Sequence, residues 1–274
     1  MSTAAALPPL ALELERLRAA PGARAGRVQV LDTLAAGQVI VKGQRPARHP
    51  ARYRVLNALA RLLGVPFLKA VPMHGGARAQ QIEVARLRAL HAAGAPVPEV
   101  LHVAPDHFVM RWLGGANLSE LLHAGHPHAA RLWDEGAQVL LRTHAAGQYL
   151  SQGFARNMVV DAAATPPRLA GLIDFEDDPL EVMTLPEAQV RDWLLYLHST
   201  LWAVPLPAAE LDARLARWLA AERSEVQDLF LRACRKLGAL RVLPRNRRWG
   251  RDTVALQAAA AAAHRYAQRH AAAH

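Results

Sequence analysis

The sequence predicts an α+β protein of two unequal lobes, on three observations. Alternating apolar runs cluster before about residue 114, helical periodicity dominates after about residue 117, and one short pair of apolar runs returns inside the helical part. The chain has 274 residues, of which 52% are apolar and 20% charged, so a sizeable core can be buried. Ala and Leu abound and aromatics are few, which favours helix over strand.

Residues 1–25 read as a short amphipathic helical extension. "RVQVL" and "QVIVK" follow as two strands joined by a turn at Gly37. "RPARHPARYRVLNALARLLG" reads as a basic loop and then a helix ending at Gly64, and "VPFLKAVP" as a short strand or extended run. A helix then runs from the "HGG" entry to Gly94, where Pro96 and Pro98 prevent its continuation. "EVLHVAPDHFVMRWL" gives two strands about an "APDH" turn and closes the first lobe, 26–114. The second lobe, 115–274, opens with Asn117 as N-cap and Glu120 in capping-box register. "AARLWDEGAQVLLRTHAAG" is a longer helix ending at Gly147. "NMVVD" and "RLAGLIDFE" form a hairpin across "AAATPP", and the chain after Pro179 is helical.

Several classes are disfavoured at once. The single cysteine, Cys234, has no partner for an internal disulfide, which points to a reducing compartment and a cytoplasmic location. Thirteen histidines show no HxxxH-type pair with a supporting third ligand, so no zinc or iron site is expected. The N-terminus lacks a basic segment before an apolar core, so no signal peptide is expected, and no run reaches about 18 apolar residues. Lys+Arg exceed Asp+Glu by 33 − 23 = 10, a balance suited to anionic partners or to plain solvation.

The chemistry concentrates at the hairpin. Asn157 stands before one strand and Asp174 after the other, so pairing draws the two together at the lobe boundary. An amide oxygen and a carboxylate are hard ligands suited to Mg²⁺, which needs few protein ligands when nucleotide phosphates supply the rest.

"RTHAAGQYLSQGFARNMVV…GLIDFEDDP" resembles the catalytic core of the protein-kinase-like superfamily, nearest to its small atypical members: the lipopolysaccharide-core and Kdo sugar kinases and the Bud32-like group. The resemblance covers roughly residues 26–203 and implies a two-lobed kinase-like fold with ATP and Mg²⁺ in the cleft. His144 and Gly147 match the helix end, Asn157 the metal-binding Asn, and Asp174 the acid of the "DFG" segment. "FVMRWLGGANLSELL" resembles the linker strand, hinge and first large-lobe helix, and "EVARLRALHAAGAPVPEVL" the helix carrying the ion-pair acid, here Glu83. The sequence departs where the catalytic Asp belongs: Gln152 stands there. An amide can accept a hydrogen bond from an acceptor hydroxyl and orient it, but cannot take its proton.

Two lysines are candidates for the phosphate clamp. Lys42 ends the better strand, whereas Lys69 lies 14 residues before Glu83. Lys42 is preferred, because its strand has a neighbour to pair with. Gly37 and the Gly75–Gly76 pair are the sparse candidates for a phosphate loop. Glu176, Asp177 and Asp178 suit a second metal, the Arg-rich surface or a substrate cation, and the resemblance implies a structural role beneath the loop for Asp192. From Arg232 to Arg251 there are eight Lys/Arg and no acid, a pattern suited to an anionic membrane surface and less to nucleic acid.

The expected activity is therefore an atypical ATP–Mg²⁺-dependent phosphotransferase acting on a sugar, a lipid-linked saccharide or a protein. The alternative is a pseudokinase that binds nucleotide or serves as a regulatory scaffold without transfer.

Overall fold

In the computed structural model the described residues are 9–19, 26–46, 69–243, 248 and 250–271. The expected helix ending at Gly64, the first part of "VPFLKAVP" and much of "PRNRRWG" lie outside them. The protein is α+β: a small antiparallel sheet near the N-terminus is followed by a mostly helical region holding a second, smaller sheet.

Helix α1 (Leu10–Ala19) precedes strands β1 (Val28–Thr33) and β2 (Gly37–Gly43). After helix α2 (Gly76–Ala92) come β3 (Val100–Val103) and β4 (His107–Arg111), and the sheet order is β1-β2-β4-β3. Strand β2 is central and covered on both faces. Val39 and Val41 pack with Leu14 of α1, while Ile40 faces the main core. Period-two alternation then puts Lys42 on the face of Ile40, toward α2. On α2, residues Ala79, Glu83, Leu87 and Leu90 fall at helical spacing and are all buried. This stripe carries one carboxylate, and it is the one that faces β2.

The second sheet has order β5-β6-β7, from Ala116–Asn117, Met158–Asp161 and Arg168–Leu172. The hairpin read from the sequence thus has a third strand, β5, too short for an alternation signal. Its Asn117 also caps α3 (Leu118–His123) in the expected capping box with Glu120. Gly171 of β7 is where the two halves meet: a Cβ there would lie 2.6 Å from the Pro96 carbonyl, which accepts from the neighbouring Leu172 N–H at 2.8 Å. Helix α4 (Ala129–Ala145) precedes the hairpin, and α5 (Leu185–Thr200), α6 (Ala208–Ala220), α7 (Ser224–Leu237) and α8 (Arg251–Ala271) follow it. Residues 69–75 form no strand; they run without regular structure into α2.

One contiguous core extends from Ile40 and Phe108 of the sheet, through Leu87 of α2, to Trp133, Trp193 and Trp218 of the helical region. The Trp133 and Trp218 rings meet edge-on at 4.5 Å, and Trp193 stacks on Trp218 at 6.0 Å. Among the described residues no helix is long and apolar enough to cross a membrane.

Candidate active site between the sheet and the hairpin

Lys42 is the hub of the site. Its ammonium lies 2.7 Å from Glu83 Oε1, 2.8 Å from Glu176 Oε1 and 3.6 Å from Asp174 Oδ1. Burial works against that charge, but the three carboxylates outweigh it and hold the Lys42 pKa above its ordinary value. Lys69 is elsewhere: its ammonium donates to the Val182 carbonyl at 2.9 Å. Of the two candidate lysines, the fold brings Lys42 to Glu83, because strand alternation aims Lys42 at α2.

Asn157 and Asp174 end up on either side of the hairpin's open end. The Ile173 N–H donates to the Asn157 carbonyl at 2.9 Å, which tethers Asp174 beside it. The Asn157 amide donates to the Gln152 carbonyl at 3.1 Å, leaving its oxygen free of that bond. Asp174 is partly exposed, and Lys42 sits on one of its oxygens. Two hard oxygens with exposure on one side fit a magnesium ion completed by phosphate and water. Among the described residues no group of three or more His, Cys, Asp or Glu could hold a metal ion by itself.

The loop from Ser151 to Asn157 is wound by its own backbone. The Gln152 carbonyl also accepts from Phe154 N–H at 2.7 Å, and Asn157 N–H donates to the Phe154 carbonyl at 2.9 Å. Among the described residues, Ser151 and Asp174 are the non-glycine residues with positive φ, at 75° and 73°. Left-handed backbone at such residues is strained, and both instances fall in this site. Ser151 is secured by Asp177, whose carbonyl and carboxylate both accept from its hydroxyl. Gln152 donates its amide to the same carboxylate at 3.2 Å. A carboxylate can only accept here, so it draws the amide nitrogen to itself and turns the Gln152 oxygen away.

From below, Asp192 accepts from Leu150 N–H at 2.5 Å, and His144 approaches the same oxygen at 3.4 Å. From the sequence, Asp192 is expected near the start of a buried helix. It lies in the middle of α5, since Thr184 caps the helix with Glu187 well upstream. Gly153 permits this contact: a Cβ there would come within 2.8 Å of the Asp192 carbonyl. His144 also meets Glu222 at 2.6 Å, and Trp193 donates to that same oxygen. Burial opposes a charge on His144, but its two carboxylate partners prevail and raise its pKa.

Sequence reasoning left the remaining acids open between a second metal, the Arg-rich surface and a substrate cation, without naming their partners. Glu176 binds Arg27 and Arg45, each at 2.5 Å, besides Lys42. Against the cost of burial, these three cations bring its pKa down to about 2. Asp178 accepts from the Tyr149 hydroxyl at 2.6 Å and from Leu180 N–H. Arg86, three residues beyond Glu83, donates to the Tyr149 carbonyl at 2.6 Å and lies over the Tyr149 ring. Helix α2 thus fixes Lys42 through one residue and the loop through another. The i, i+3 spacing on a buried face was the available signal for Arg86.

Backbone donors at both glycine candidates are partly taken. Glu13 of α1 already accepts from Leu34 and Ala35 N–H in the turn before Gly37, at 2.5 and 3.1 Å. Gly76 N–H donates to the Arg45 carbonyl. In comparisons with known proteins the chain matches no family model, and no curated protein matches its sequence.

Proposed function

We propose that the cleft between β2, α2 and the hairpin binds Mg²⁺–ATP, and that the protein is an atypical phosphotransferase with a kinase-like site. The observation that carries this reading is the convergence of Lys42, Glu83 and Asp174 beside Asn157, four residues drawn from a sheet, a helix and a hairpin. Lys42, braced by Glu83, would hold the nucleotide's phosphates. Asn157 and Asp174 would hold the magnesium ion, which when bound neutralises phosphate charge. Gln152, its nitrogen held by Asp177, offers its oxygen to an acceptor hydroxyl. That hydroxyl oxygen forms the new bond to the terminal phosphorus as the bond to the leaving diphosphate oxygen breaks. The proton passes to water or to a phosphate oxygen, because an amide cannot retain it. Positioning and charge stabilisation supply most of the acceleration in such transfers.

A second reading, a nucleotide-binding scaffold without transfer, is favoured by Gln152 itself. The absence of a carboxylate at 152 predicts turnover slower than in an enzyme with a general base, by roughly 10²–10⁴-fold. The test is thermal denaturation with ATP, with and without Mg²⁺, followed by product assays. The expected result is a magnesium-dependent rise in midpoint that Asp174→Asn abolishes. No shift at millimolar ATP overturns both nucleotide readings, whereas a shift without any phosphorylated product leaves the scaffold.

A further inference from the structure

A predominantly apolar cavity lies away from Lys42, among the helices of the second region. It measures about 370 Å³ and is lined by Leu194 of α5, Leu215 of α6, Phe230 of α7, Leu256 of α8 and Phe154 of the Ser151–Asn157 loop. Its volume falls in the range of small-ligand sites. The cause is legible in the residues: Ala259, Ala260, Ala262 and Ala263 of α8 face it, so one wall has almost no side-chain bulk. An engineered apolar cavity of on the order of 150 Å³ stays dry and takes up apolar guests. This larger one is a poor place for water, having few polar partners to offer.

One end differs from the rest. His198 lines the void and lies within electrostatic reach of Arg156 and Asp252. The Arg156 guanidinium stacks 4.0 Å from the centre of the Phe154 ring. Through Phe154 the apolar lining runs up to an exposed cation, Arg156, which precedes Asn157 in the chain, and the Asp252 carboxylate acts on the same end. A long aliphatic body with an anionic end matches this distribution, whereas a polar metabolite would leave its hydrogen-bonding groups unpaired against leucine and alanine.

We propose that this cavity binds a single-chain anionic amphiphile of the fatty-acid class, its aliphatic chain among α5, α7 and α8 and its head group at Arg156. A cavity of this size accommodates one chain rather than a two-chain lipid. Because Phe154 is part of the loop holding Gln152 and Asn157, occupancy bears directly on the candidate active site. The binding itself does not rest on the phosphotransferase reading.

The experiment is titration calorimetry of the full chain with dodecanoate below its micellar concentration. The expected result is saturable binding of one equivalent. Ala259→Phe, which fills the void, lowers affinity by more than about tenfold, since displacing even two methylenes from the cavity is worth that much. Ala263→Val serves as the milder second variant and lowers it less. Dodecanol, lacking the charge, binds about tenfold more weakly, and Arg156→Gln brings dodecanoate down to that level. Cys234, the chain's single cysteine, also lines the cavity, and its alkylation by N-ethylmaleimide slows when dodecanoate is bound. Absence of saturable binding, undiminished binding in both cavity variants, or unchanged Cys234 alkylation at saturation overturns the site. Equal binding of dodecanol overturns the assignment of the head group to Arg156. Competition by phosphatidylglycerol vesicles at equal lipid overturns the single-chain form. Should dodecanoate bind while ATP causes no thermal shift, the nucleotide reading fails and the chain site stands.

Discussion

Lys42 carries three carboxylate contacts on one ammonium, and this residue makes the sharpest prediction. Lys42→Met leaves Glu83 buried without a cation and removes the phosphate contact. Nucleotide-dependent stabilisation should vanish, and urea denaturation should show a loss of about 3–5 kcal/mol, the cost of breaking a buried pair on one side. Lys69→Met removes one donor to a carbonyl and should cost about 1 kcal/mol while leaving the nucleotide response intact. Glu176 occupies this ammonium, which in the proposed function would hold a nucleotide phosphate. Glu176→Gln should therefore raise the apparent affinity for Mg²⁺–ATP several-fold in calorimetry. The same carboxylate has a pH signature. Its pKa lies near 2, against an ordinary 4.5, so its stabilising contribution is complete above pH 4.5 and is lost as pH falls toward 2. In a circular-dichroism titration from pH 7 to pH 2, the acid limb of Glu176→Gln should be shallower than that of the native chain.

At the scale of elements, α4 and α5 are joined to the loop through His144, Asp192 and Glu222. His144 has a raised pKa, so protonating it stabilises the fold. That contribution is complete below pH 6.5 and is lost as pH rises through the raised folded value. His144→Gln should flatten the alkaline limb of midpoint against pH, and should loosen the 150–157 loop in hydrogen exchange. Much of this element scale was legible in advance. The capping box at Asn117 and Glu120, the turns and the stop at Gly94 are written in local residues, and local hydrogen bonds satisfy them. Strand β5 was not legible, because two residues carry no period. Its existence depends on β6 lying alongside.

For the whole molecule, the continuity of the core is decisive. Ile40 and Phe108 of the sheet belong to the same cluster as Trp133, Trp193 and Trp218. The sheet and the helical region should accordingly lose structure together. Trp218→Ala, at the centre of the aromatic group, should cost about 3–5 kcal/mol. Hydrogen exchange should then rise in β2 and α2 as well as in the helices around residue 218. Exchange confined to the helices would show that the two regions unfold separately. The ion pairs of Glu176 with Arg27, Lys42 and Arg45 add a polar link between the hairpin segment and the first sheet.

The sequence by itself determined the α+β division, most helices, the hairpin and the residues worth watching, because periodicity, caps and turn residues act over a few positions. It also revealed that residue 152 is an amide. Only the tertiary structure decided that Lys42 rather than Lys69 meets Glu83, and that Glu176 occupies that lysine. It also decided that Asp177 holds Gln152 and that the alanines of α8 leave a cavity behind the loop. Each of these depends on groups far apart in the chain, and their distances are set by how β2, α2 and the hairpin pack on one core, which no local pattern encodes.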